Sequence, residues 1–149
     1  MDTITQEKRA DLKQYLKRYK WIKKDIEQAE EEVIQINARL YNTKSQVITD
    51  MPRGGKGIDM VDRIGMKEEV EKRLESYKIK AEEIRTELEN IFDQIPDYKL
   101  RLVLRTVYIY GYSLSDAAYT LDYNYRYMLT LHQQAIDEII NLKLCTCYV

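Results

Sequence analysis

At 149 residues and a formal net charge of −1, the chain is too short for two full-sized domains and has no overall charge to draw it to polyanions. A third of the residues are charged and 44% are hydrophobic, with thirteen Tyr but only five Gly and two Pro, which argues against a disordered chain and for a globular, helix-leaning one. Nowhere do eighteen apolar residues follow one another, and Met1 to Lys8 has no positive stretch leading into an apolar run, so a soluble cytoplasmic protein without membrane contact is expected.

The first strong pattern is Leu12, Tyr15, Tyr19, Ile22, Ile26, Ala29, Val33, Ile36 and Leu40. Its steps alternate three and four, the spacing that keeps one apolar seam on a supercoiled helix, and it predicts a helix from near Gln6 to near Asn42. The charge on this segment is uneven. Residues 1 to 24 hold eight Lys/Arg against three Asp/Glu, and Lys13, Lys17, Lys20 and Lys24 fall on one stripe. Such a stripe is either a phosphate-facing surface or a solvated helix face.

The segment Asp50-Met51-Pro52-Arg53-Gly54-Gly55-Lys56-Gly57 collects four of the seven Gly and Pro residues of the chain and predicts a loop over 43–58. A nucleotide-binding loop would need Gly-Lys-Ser/Thr after a strand, whereas here Gly follows Lys56 and a helix precedes. A hairpin connector is the simpler account, with Arg53 and Lys56 open to a phosphate backbone. A second seam, Val70, Leu74, Tyr77, Ala81, Ile84, Leu88, Ile91 and Ile95, predicts a helix from about Asp59 to Gln94, closed by Pro96. Two helices of nearly equal length, about 50 Å each at 1.5 Å per residue, bury both seams by folding back as an antiparallel coiled-coil hairpin. Residues 1–95 are therefore expected to form this hairpin, and residues 96–149 a separate domain.

After Asp97, the residues Tyr98, Leu100, Leu102, Val103, Leu104, Val107, Tyr108 and Ile109 lead to Gly111, a helix stop. Ser113 can cap a new helix with Asp116 at the third position of a capping box, and Ala117, Ala118 and Leu121 give that helix a short, small-residue face. A break at Asp122-Tyr123 precedes Asn124, a good cap for a last helix to about Leu142 with Met128, Leu131, Ala135, Ile139 and Leu142 buried. The whole is expected to be all-α, ending in a helix-turn-helix. The alternations Tyr108/Tyr110/Tyr112 and Tyr123/Tyr125/Tyr127 offer β-structure as the competing account, but each lasts five residues against more than four helical turns after Asn124.

Were the last helix to enter a groove, Arg126, Thr130 and Gln133 would face it, flanked by Tyr127 and Gln134 with Asn124 at the tip. Arg reads guanine, Gln reads adenine, and Thr and Tyr hold phosphates or a thymine methyl. Residues 97–149 carry five Lys/Arg and five Asp/Glu, so this part has no net charge of its own to bind DNA. Leu129, well round the helix from the core, suits a protein contact.

The stretch from Leu114 to Met128, reading Leu-Ser-Asp-Ala-Ala-Tyr-Thr-Leu-Asp-Tyr-Asn-Tyr-Arg-Tyr-Met, resembles region four of sigma factors. With the Met51-Pro52-Arg53-Gly54 loop and Leu131-His132-Gln133-Gln134-Ala135-Ile136, it is similar to phage late transcription regulators of the ArpU-like family. The resemblance implies a phage-encoded DNA-binding regulator in a bacterial host cell, with Asn124 to Thr130 (Asn124, Tyr125, Arg126, Tyr127 and Thr130 among them) at the recognition positions. Where that family usually has Gly in the turn, this chain has Asp122, which adopts the left-handed conformation at modest cost.

Three functions fit these residues. A regulator would read double-stranded promoter DNA through Arg126 and Gln133, with Lys13, Lys17 and Lys20 on phosphates and a homodimer supplying useful affinity. An interaction module would bind RNA polymerase or another phage or host transcription protein. A small phage packaging (terminase) subunit also combines a helix-turn-helix with coiled helices. Catalysis is not expected: His132 has no Cys or Ser partner at a recognisable spacing. No metal or cofactor is expected either, and Cys145 and Cys147 read as free thiols.

Overall fold

The computed structural model describes residues 3–46 and 60–144, and all its regular structure is helical. The helices are α1 (Thr3–Leu16), α2 (Arg18–Gln46), α3 (Met60–Asp93), α4 (Tyr98–Leu104), α5 (Leu114–Thr120) and α6 (Tyr125–Asn141), with a π-helical turn, Arg105–Ile109, continuing α4. Arg53, Lys56, Cys145, Cys147 and most of the predicted 43–58 loop lie outside the described residues; α2 itself runs four residues past the expected end at Asn42. No strand occurs among the described residues, so the tyrosine alternations are not β-structure. No described helix is long and apolar enough to cross a membrane.

The first predicted helix is interrupted at Lys17, yet Lys17 N still donates to Lys13 O (3.1 Å) and Trp21 N to Lys17 O (3.2 Å). Beside the interruption, Arg18 lays its guanidinium over the Tyr15 ring (3.8 Å) and donates from Nε to the Tyr15 carbonyl (3.1 Å).

The chain divides into two compact units, residues 22–80 and residues 1–21 with 81–149. The division therefore falls inside the long helices and not at the expected 95/96 boundary. In the unit of residues 22–80, Ala29 and Val70 are buried, while Ile26, Val33, Ile36, Leu40, Leu74 and Tyr77 are half-buried. Partial burial is what two helices achieve without a further layer. Glu32 on α2 and Arg73 on α3 form an ion pair there.

The other unit holds the main core. Leu12, Leu16, Leu88, Phe92, Ile95, Val103, Leu104, Met128, Ile136 and Ile139 have almost no exposed surface. Leu16 and Phe92 are off both predicted seams; they are buried because α4 to α6 add a layer that a two-helix reading lacks. Past Pro96 the chain re-enters a helix through Asp97, whose Oδ1 accepts from Lys99 N (2.9 Å), and Arg101 Nη1 donates to Ile95 O (2.8 Å). At Thr106 the hydroxyl donates to the Leu102 carbonyl (2.7 Å), and the ladder slips to the wider spacing seen in Tyr110 N to Arg105 O (3.0 Å). This turn buries Tyr108 against Phe92, ring centroids 6.5 Å apart, and leaves Tyr110 and Tyr112 exposed.

α6 packs on α1, α4 and α5. Its buried face is Met128, Leu131, His132, Ala135, Ile136 and Ile139. Leu142, expected to be buried, is 43% exposed: the helix ends at Asn141 and Lys143, at φ 53°, reverses the chain, taking Leu142 out of the buried stripe.

Candidate functional site

The first turns of α6 are presented by two capped ends in succession. Ser113 Oγ accepts from Asp116 N (3.1 Å) to start α5, the predicted cap. Ala117 and Ala118 are buried, small enough for close approach of α6. α5 ends with Tyr123 N donating to Ala118 O (2.9 Å) and Asp122 N to Tyr119 O (3.3 Å), the paired closure of a Schellman turn, and Asp122 takes the left-handed position at φ 59°. Asn124 Oδ1 then accepts from Tyr127 N (2.7 Å), capping α6 as predicted.

Five of the six candidate base- and backbone-reading residues share this exposed tip: Asn124, Tyr125, Arg126, Tyr127 and Thr130. Each is constrained differently. The Asn124 oxygen is used by the cap, so its NH₂ is the group left to donate. Tyr127 stands edge-on to Tyr123, centroids 5.2 Å apart, and Thr130 Oγ1 donates to Arg126 O (3.2 Å). The Arg126 guanidinium has no partner among the described residues.

Gln133, the sixth, is set apart. Arg9 on α1 donates from Nε and Nη2 to the two oxygens of Asp137 on α6 (2.8 and 2.9 Å), a bidentate clasp, and Gln133 Nε2 donates to Asp137 Oδ1 at 3.3 Å. Asp137 holds Arg9 more firmly protonated, through the hydrogen bond first and its charge second. Gln133 therefore stands beside the clasp, apart from the exposed tip of α6.

Lys13, Lys17 and Lys20 lie together as the stripe predicts, but along one wall of a cleft of about 470 Å³. Leu129 and Gln133 of α6 also line it, with Val107 and Leu114. Beneath lies His132, 7% exposed, whose Nε2 shares a 2.7 Å hydrogen bond with Tyr108 Oη. Burial, helped by the charges of Lys13 and Lys17, lowers the imidazole to about 4, and burial raises the Tyr108 phenol. Both rings are neutral at pH 7, which makes the pair a satisfied polar contact in the core.

Sequence reasoning misses both the clasp and the histidine pair. The burial of His132 is legible, since it falls between Met128 and Ala135 on the apolar stripe; its partner is not. Among the described residues no three of His, Cys, Asp and Glu gather as metal ligands. Compared with protein-family models, with curated proteins and with solved structures, the chain matches none.

Proposed function

We propose that this chain is a DNA-binding transcriptional regulator of the ArpU-like kind, non-enzymatic, acting in the cytoplasm of a bacterial host. In this proposal α5, the turn at Asp122 and α6 work as a helix-turn-helix similar to region four of sigma factors, and α6 enters the major groove by its first turns. The observation that carries it is Arg126: an exposed guanidinium with no partner among the described residues, beside Thr130 and between Tyr125 and Tyr127, on the tip of a helix capped by Asn124. Arg126 would bond the O6 and N7 of a guanine, and the Thr130 methyl would meet a thymine methyl. The tyrosine hydroxyls and the Asn124 NH₂ would hold phosphates. Lys13, Lys17 and Lys20 supply positive charge on the flank of α6, which the neutral C-terminal segment lacks.

The long helices are read as an antiparallel coiled hairpin that carries this head. The ion pairs Arg18–Glu87 and Glu32–Arg73, whose order runs in opposite senses along the two helices, favour that pairing.

The test is selection of duplexes from a random pool by the full-length protein, then titration of an enriched and a scrambled duplex at two salt concentrations, with Arg126→Ala alongside. Enriched-site preference that Arg126→Ala relaxes, at a cost of about 1–3 kcal/mol, is the expected result. Absence of binding at low salt would overturn it. That outcome would favour a protein-interaction module for RNA polymerase or another transcription protein, for which Tyr119, 90% exposed, and Leu129, 40% exposed, offer contact surface.

A further inference from the structure

We propose that the cleft between the Lys13–Lys17–Lys20 stripe and α6 is a binding site for a small organic anion, an aromatic or branched apolar body carrying one strongly acidic group. The volume, about 470 Å³, is that of a small-ligand pocket. Its lining divides by chemistry. Three ammonium groups, spread over about 10 Å of helix, line one side, and none has an ion-pair partner among the described residues. Among the described residues, no carboxylate lines the cleft. The rest of the lining includes the apolar side chains of Val107, Leu114 and Leu129 and the ring of Tyr112.

An inorganic anion would use the lysines and leave the apolar wall wet. A neutral hydrophobe would use the wall and leave the charges unanswered. A body with both parts uses the whole cleft. The floor adds shape without charge, since Tyr108 and His132 are both neutral and share a hydrogen bond through Oη and Nε2. The Arg9–Asp137 clasp fixes α1 against α6 near Gln133, so the two walls keep their spacing and little ordering remains for a ligand to impose.

This site shares Lys13, Lys17 and Lys20 with the DNA proposal but does not depend on it, and its test contains no nucleic acid. The probe is 8-anilinonaphthalene-1-sulfonate, titrated by fluorescence into the folded full-length protein at pH 7, with the uncharged N-phenyl-1-naphthylamine as the matched body lacking the acid. Saturable one-site binding of the sulfonate is expected, weaker by about tenfold or more for the neutral body and for the triple variant Lys13→Gln, Lys17→Gln, Lys20→Gln. Leu129→Gln weakens both probes. Circular dichroism checks that each variant keeps its helix content, and Lys17→Gln alone, at an exposed position, stands in should the triple variant lose it. Amide shifts of the wild-type protein locate the sulfonate, expected at Leu114 and Leu129. Absence of saturation, equal affinity for the neutral body, unchanged affinity in the lysine variant, or shifts centred on another face would each overturn the assignment.

Discussion

Arg9 and Asp137, 128 positions apart in the chain, meet through two hydrogen bonds of 2.8 and 2.9 Å, so the first helix is tied directly to the last. Removing either partner leaves the other without its bidentate mate. Arg9→Ala and Asp137→Ala should each lower the midpoint of thermal unfolding, and the double variant should fall little below the worse single. Additive losses in this cycle would show that the clasp contributes nothing as a pair.

The buried imidazole makes stability depend on pH. Folded His132 resists protonation down to about 4, whereas the unfolded side chain takes its proton near 6.5. The unfolded state therefore binds the extra proton in that window. Its contribution is complete above about pH 6.5 and shrinks as the pH falls toward 4, by about 3 kcal/mol in all. Urea unfolding of wild type and His132→Gln at pH 7 and pH 4.5 measures it: Gln keeps a partner for Tyr108 without titrating, so the variant should lose less stability on acidification than wild type. Equal losses would show that His132 is not the group responsible.

Two residues with positive φ give opposite expectations. Gly111 sits at φ 79°, with open space where a Cβ would be, so Gly111→Ala should cost about 1 kcal/mol through backbone conformation alone. Asp122 at φ 59° already bears such a cost, and Asp122→Gly should stabilise the turn by about 0.5 kcal/mol. Chemical denaturation of the two variants reads both signs.

Phe92, fully buried and in ring contact with Tyr108, should be the most damaging truncation at the end of α3. Phe92→Ala is expected to cost about 3–5 kcal/mol, seen as a shift in urea midpoint. A loss under about 1 kcal/mol would mean that the core closes over the gap or that the contact is absent.

Under the proposed function, the lysines act on DNA as charge and not as readers. Replacing Lys13, Lys17 and Lys20 by Gln should lower affinity about equally for enriched and scrambled duplexes and reduce the salt slope by about 1 for each phosphate that is no longer neutralised. An unchanged slope would remove them from the DNA surface.

The sequence is most legible where the cause is local. Ser113, Gly111 and Asn124 do what their chemistry dictates within three or four residues, and the apolar seams need only helical period. Leu16 and Phe92 are not legible because their burial comes from helices that return from elsewhere in the chain. The π turn is hidden for a different reason: Thr106 can bond Leu102 O in any helix, and only packing decides whether the ladder yields. At the candidate site, the exposed tip of α6 can be read off the periodicity, whereas the clasp beside Gln133 depends on Arg9, far away in sequence.

The division of the chain also sets an order of assembly. Residues 22–80 are contiguous and emerge from the ribosome before the stretch beginning at residue 81. In the segment before them, Leu12 and Leu16 must await that stretch, and Arg9 must await Asp137, near the end of α6. One unit is thus interrupted by the other, and the inserted one is finished first. Synthesis at about 5–20 residues per second leaves the apolar face of α1 uncovered for many seconds.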